Sequence, residues 1–248
     1  LRPINEDNNT VSGKIRSIVS DNLQLKGNSI TSKNLLISQP DIHVKRKKSN
    51  QTQPTTPSQK FGLTLAIDYV KLDNGIVKLE QDSDLYFANG VNMAIHNFTF
   101  DGDYSINNII ANIANIGGRL NNSLASFDAS GIEYSSIEKT FEASNLSYVS
   151  PSLAFSTKQF AIDNLLLNEN NSDSIKAETI SLSSISLNNK DLSFYSPKIT
   201  VANFIWVQNA ASISQLITQS PKFSYLSREI ELKTELENLT FDNISYAN

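Results

Sequence analysis

The 248-residue chain has no cysteine, which excludes disulfides and thiolate metal sites alike. Its two histidines, His43 and His96, stand 53 positions apart with no second ligand cluster beside either, so both read as structural or surface residues. Only nine glycines are present and none forms a phosphate-cradling motif. No run of about 18 apolar residues occurs, so no membrane-spanning helix is expected within it, and no charged-then-apolar signal opens it. A net charge of −4 gives no general attraction to nucleic acid. Asp82 with Asp84, and Asp101 with Asp103 around Gly102, lack the further ligands of a calcium loop and read as turn chemistry. Neither a cofactor nor a catalytic constellation is expected.

What the chain does have is a recurring tag: Asn or Asp, an apolar residue, any residue, then a large apolar residue. It begins at Asn22, Asn34, Asp84, Asn97, Asn145, Asn164, Asp191, Asn238 and Asn243. A turn-forming residue followed by apolar residues two apart marks entry into a strand, because side chains alternate faces along it. After three tags come Pro40, Pro151 and Pro197, which suit a strand edge or a break between strands. The tags are spaced unequally, which argues against a strict solenoid. The chain therefore reads as all-β, mainly antiparallel and elongated, with an apolar content of 39% and 19% charged residues.

Three segments are expected. Residues 1–48 form an N-terminal strand set, 49–60 a flexible polar loop, and 61–248 one continuous sheet region. Asp73-Asn74-Gly75 before Ile76 predicts a hairpin turn. Two places depart from the two-residue period. Ile106, Ile109, Ile110, Ile113 and Ile116 keep helical spacing up to Gly117-Gly118, although β-branched isoleucine and asparagine are indifferent helix formers. Ala210 to Thr218, ahead of Pro221, suits one or two helical turns. The sequons at Asn97 and Asn145 fall in strand-like runs of an Asn- and Ser-rich chain and carry no implication of glycosylation. Starting at Leu1, the chain is expected to be a mature form or a segment of something longer.

The run from Lys33 to Lys45, a polar loop, and then Leu65 to Leu79 with Asp73-Asn74-Gly75 resembles the AsmA and TamB-like proteins of Gram-negative envelopes. Ile175 to Leu187 is similar to that family's recurring short strands. The resemblance implies a curved or taco-like sheet in the periplasm, non-enzymatic, anchored to the inner membrane through a segment outside this chain. Its partners would be phospholipid acyl chains lying along an apolar concave face. The family has no catalytic residues to carry over. The candidate apolar stripe is Leu63, Leu65, Ile67, Val91, Met93, Ile95, Tyr148, Leu153, Phe155, Phe160, Ile162, Phe194, Ile199, Val201 and Phe204, and these side chains would equally make a sandwich core. Lys45, Arg46, Lys47 and Lys48 would touch anionic headgroups or simply flank a solvated loop. Trp206 and the pairs Tyr86-Phe87 and Phe194-Tyr195 keep a rival open, an extracellular β-sandwich that binds carbohydrate or acts as an adhesin. A β-helical enzyme acting on polysaccharide comes third.

Overall fold

The computed structural model describes residues 4–6, 9–46, 62–167, 174–207, 210–226 and 230–247. Every regular element among them is a strand, and no helix occurs. The chain divides into two compact units, Leu1–Asn122 and Ser123–Asn248.

In the first unit β1 (Ile4–Glu6), β2 (Asn9–Lys14), β3 (Ser17–Asp21) and β4 (Gln24–Lys26) precede β5 (Ser29–Ser38) and β6 (Asp41–Arg46). β5 and β6 lie end to end, both parallel to the long β7 (Thr64–Gln81). β7 then pairs antiparallel with β8 (Asp84–Phe100), which pairs with β9 (Tyr104–Ser105) and β10 (Asn108–Leu120). The strands on either side of residues 49–60 share the first unit, and the division between the units falls after Asn122. Residues 49–60 lie outside the described residues.

The second unit is antiparallel throughout its described ladders. β11 (Ala125–Ser135), β12 (Thr140–Val149) and β13 (Ala154–Asp163) run into β15 (Ser174–Asn188), with the short β14 (Leu166–Leu167) continuing the edge of β13. β16 (Leu192–Val207) follows, and beside it β17 (Ala210–Gln219) and β18 (Lys222–Leu226) again lie end to end. β19 (Glu231–Glu235) pairs with β18 and β20 (Asn238–Ala247) with β17.

Lines of kinks cross these sheets. Asn145, Lys158, Ser184, Pro197 and Ser220 face one another in turn across β12 to the end of β17. Asn164, Glu178, Asn203, Ser214 and Asn243 make a second line six residues further along. In both lines every other residue has positive φ: Asn145 49°, Ser184 52° and Ser220 43°, then Asn164 52°, Asn203 51° and Asn243 55°. Asn22, Lys33, Asp68 and Asn97 form a similar line in the first unit. Short polar side chains are the ones that tolerate this left-handed conformation, which accounts for the asparagines.

A kink disturbs the ladder carbonyl that precedes it, and hydroxyls from the neighbouring strand answer it. Ser32 donates to the carbonyl of Asp21, Thr157 to Ser183, Ser196 to Gln219, Ser130 to Ser144 and Ser214 to Ala202. In each case the acceptor is the residue just before a left-handed asparagine or serine. Of the nine tags, Asp84, Asp191 and Asn238 do stand at strand entries, Asn22, Asn97, Asn145, Asn164 and Asn243 are kinks, and Asn34 lies inside β5 opposite Asp21.

The kinks also correct both helical expectations. At a kink two successive residues turn to the same side, as when Lys158 and Gln159 are both exposed between buried Thr157 and half-buried Phe160. Pro197 and Lys198 repeat this between Ser196 and Ile199. Apolar spacing thus goes two, three, two, which imitates a helix. Ile109, Ala111, Ile113 and Ile116 are strand residues opposite Ile95, Met93, Val91 and Ala88, while Ile110 faces Ala94. Ala211, Ile213, Leu216 and Thr218 of β17 pair in the same rhythm with Tyr246, Ile244, Phe241 and Leu239.

The hairpin expected at Asn74-Gly75 is a bulge inside β7. Register shifts between Leu72 opposite Met93 and Gly75 opposite Val91. The Asn74 amide donates to Asn92 Oδ1 at 3.0 Å. A Cβ at Gly75 would stand 2.7 Å from Leu72 Cδ2 and 3.1 Å from Pro40 Cγ, so the glycine lets these side chains pack close to the backbone. Asp82-Ser83 makes the β7–β8 turn instead. Pro40 and Pro151 sit in breaks between strands, as expected, but Pro197 lies inside β16 at a kink; Pro221 fills the break between end-to-end β17 and β18.

Candidate functional site

The expected stripe is distributed between the two units. In the first, Leu65 and Ile67 lie opposite Phe100 and Phe98, and Val91, Met93 and Ile95 lie opposite Gly75, Leu72 and Val70. Leu63 stands just ahead of β7, half-buried. In the second, Tyr148, Phe155, Leu187, Phe194 and Phe223 form one continuous row. Phe160, Leu182 and Ile199 form the next, and Ile162, Ile180, Val201, Leu216 and Phe241 another. Phe204 lies opposite Ala177, and Leu153 precedes β13. Ring contacts bind the rows, Phe194 to Phe223 at 5.0 Å and Phe141 to Phe160 at 5.8 Å. Because kinks re-phase the alternation, these rows stay on one face. Sequence reading missed Val70, Leu72, Phe98, Leu182, Leu187 and Leu216, which the three-residue steps would have found.

Burial on this face is incomplete. The buried apolar residues are Ile67, Val91, Ile132 and Ile185 with five alanines, and no Leu, Phe, Met, Tyr or Trp is buried among the described residues. In a sandwich the facing sheet covers such side chains.

Of the basic run, Lys45 Nζ pairs with Glu80 Oε2 at 2.8 Å across the β6–β7 ladder, and His43 Nε2 lies 2.9 Å from Glu80 Oε1. The hydrogen bond from Lys45 holds the Glu80 carboxyl below its usual range, and the charges of Lys45 and His43 add to this. Arg46 ends β6, exposed, while Lys47 and Lys48 lie outside the described residues. His96 packs on Tyr69 with ring centres 5.0 Å apart. No group of three metal-ligating side chains occurs among the described residues. Asp84 accepts the Asn121 amide at 2.8 Å and the Tyr86 hydroxyl at 3.4 Å, and burial together with that carboxylate raises the Tyr86 pKa. Asp101 and Asp103 are joined by a backbone bond within their turn.

The adjacent aromatics separate as expected of a strand. Phe194 stays in the apolar row, whereas Tyr195 lies opposite Ser186 and Lys222 on the other face. Trp206 is half-buried opposite Ile175 and Ala211. Comparison with protein-family models, curated proteins and solved structures gave no match.

Proposed function

We propose that the apolar face holds the acyl chains of phospholipids, and that the protein is a non-enzymatic part of a Gram-negative envelope serving lipid homeostasis or transport in the periplasm. What supports this is the incomplete burial of continuous rows of large apolar side chains, a surface that water disfavours and that no described strand seals. The sequence's likeness to AsmA and TamB-like proteins agrees with it. The mechanism is passive. Each buried methylene contributes about 0.8 kcal/mol, headgroups stay near solvent, and attachment to the inner membrane runs through a segment outside this chain. Arg46 offers a headgroup contact, while the charge of Lys45 is shared with Glu80. A sandwich is the weaker reading, because its inward phenylalanines and leucines would be buried.

The test is native mass spectrometry with lipid extraction on protein purified from a Gram-negative host, together with folded Leu65→Asp and Phe155→Asp variants. Phospholipid carried by the parent chain and reduced in both variants is the expected result. A lipid-free parent chain removes the proposal.

A further inference from the structure

The face opposite the apolar rows carries a row of its own. Ser147, Ser156, Ser186 and Tyr195 lie directly opposite one another across β12, β13, β15 and β16. Neighbouring strands are about 4.8 Å apart, so three small hydroxyl side chains in line leave a flat shelf ending at one aromatic ring. Tyr195 is 40% exposed and divides two open depressions. One, of about 500 Å³, lies over Asn145, Ser147, Ser156, Lys158 and Ser184. The other, of about 380 Å³, lies over Ser193, Lys222, Ser224, Lys233 and Glu235.

Of the strand hydroxyls, that of Ser186 on the shelf accepts from Asn188 Nδ2 at 2.9 Å. Those of Ser32, Thr157 and Ser196 are committed to backbone carbonyls. Those of Ser147 and Ser156, and the phenol of Tyr195, make no such bond among the described residues, and neither does the ammonium of Lys158 have an ion-pair partner there. Lys222, by contrast, is matched by Glu235 at 2.9 Å.

We infer that this shelf binds a linear oligosaccharide, with Tyr195 stacking on a sugar ring and Ser147, Ser156 and Lys158 hydrogen-bonding its hydroxyl or acidic groups. An exposed aromatic body supplies apolar contact to the flat face of a pyranose, and uncommitted hydroxyls supply both donors and acceptors. The pairing of Lys222 and the negative net charge of the chain make a nucleic acid a poor occupant. The inference is independent of acyl-chain binding, which uses the other face.

The experiment is calorimetric titration of the whole chain with chitohexaose, cellohexaose and hexagalacturonate. At least one binds, Tyr195→Ala weakens it about tenfold or more, Tyr195→Phe stays within about threefold, and Ser156→Trp, which fills the shelf, abolishes it. Binding of hexagalacturonate alone, weakened by Lys158→Ala, marks the ligand as acidic and Lys158 as its charge partner. Circular dichroism identifies the variants that keep the parent fold. No binding of any of the three sugars overturns the inference, as does binding that survives both Tyr195→Ala and Ser156→Trp in folded protein.

Discussion

Ser196 is fully buried, and its hydroxyl reaches the carbonyls of Lys198 at 2.8 Å and Gln219 at 2.9 Å. Replacing it by alanine leaves two carbonyls at a kink short of a donor, so Ser196→Ala is expected to cost about 1–3 kcal/mol. The exposed Ser193→Ala should change stability by less than about 0.5 kcal/mol. Urea denaturation of both variants measures the contrast, and equal midpoints would refute the capping role. Little of this is legible in the sequence. Asn145 and Asp191 open nearly the same words, Asn-Leu-Ser-Tyr and Asp-Leu-Ser-Phe, yet one is a left-handed kink and the other a strand entry. Both positions favour a short side chain able to bond the local backbone, so residue type alone does not separate them.

At the scale of the element, Ser183 stays opposite Lys198 and Ile185 opposite Ser196 although both strands change phase between these pairs. Deleting Pro197 alone would remove the phase change from β16 while β15 keeps its own at Ser184, leaving Ile199, Val201 and Phe204 one residue out of register with Leu182, Ile180 and Ala177. Loss of cooperative thermal unfolding, followed by circular dichroism, is the expected outcome for that deletion. A normal transition would mean that the kink is dispensable. Strand content was legible because β-branched and aromatic residues alternate over most of the chain. β10 and β17 were not, since their two-three-two spacing contains the same three-residue step that a helix uses. Asn74-Gly75 failed as a hairpin signal because left-handed Asn74, with Gly75, serves a bulge within one strand, where Leu72 and Pro40 pack close to the glycine.

For the whole molecule, the large side chains keep much of their surface in contact with solvent. Heat capacity of unfolding follows the apolar area newly exposed, so calorimetry should give a value per residue below the usual ~12–15 cal/mol/K. An ordinary value would mean that the apolar rows are covered in solution, and the acyl-chain proposal would lose its ground. Much of the apolar face was legible, since all fifteen stripe positions are buried or half-buried, though Val70, Leu72, Phe98, Leu182, Leu187 and Leu216 were missed. Its continuity was not, because that depends on which residues face one another across strands far apart in sequence. The phase changes that preserve it also constrain descent. A codon gained or lost at a kink shifts everything downstream in its strand by one residue against the facing strand, and only a matching change in the facing strand keeps the two in step. Related chains should therefore differ in strand length by paired gaps that face one another, a coupling that no single strand, read alone, would disclose.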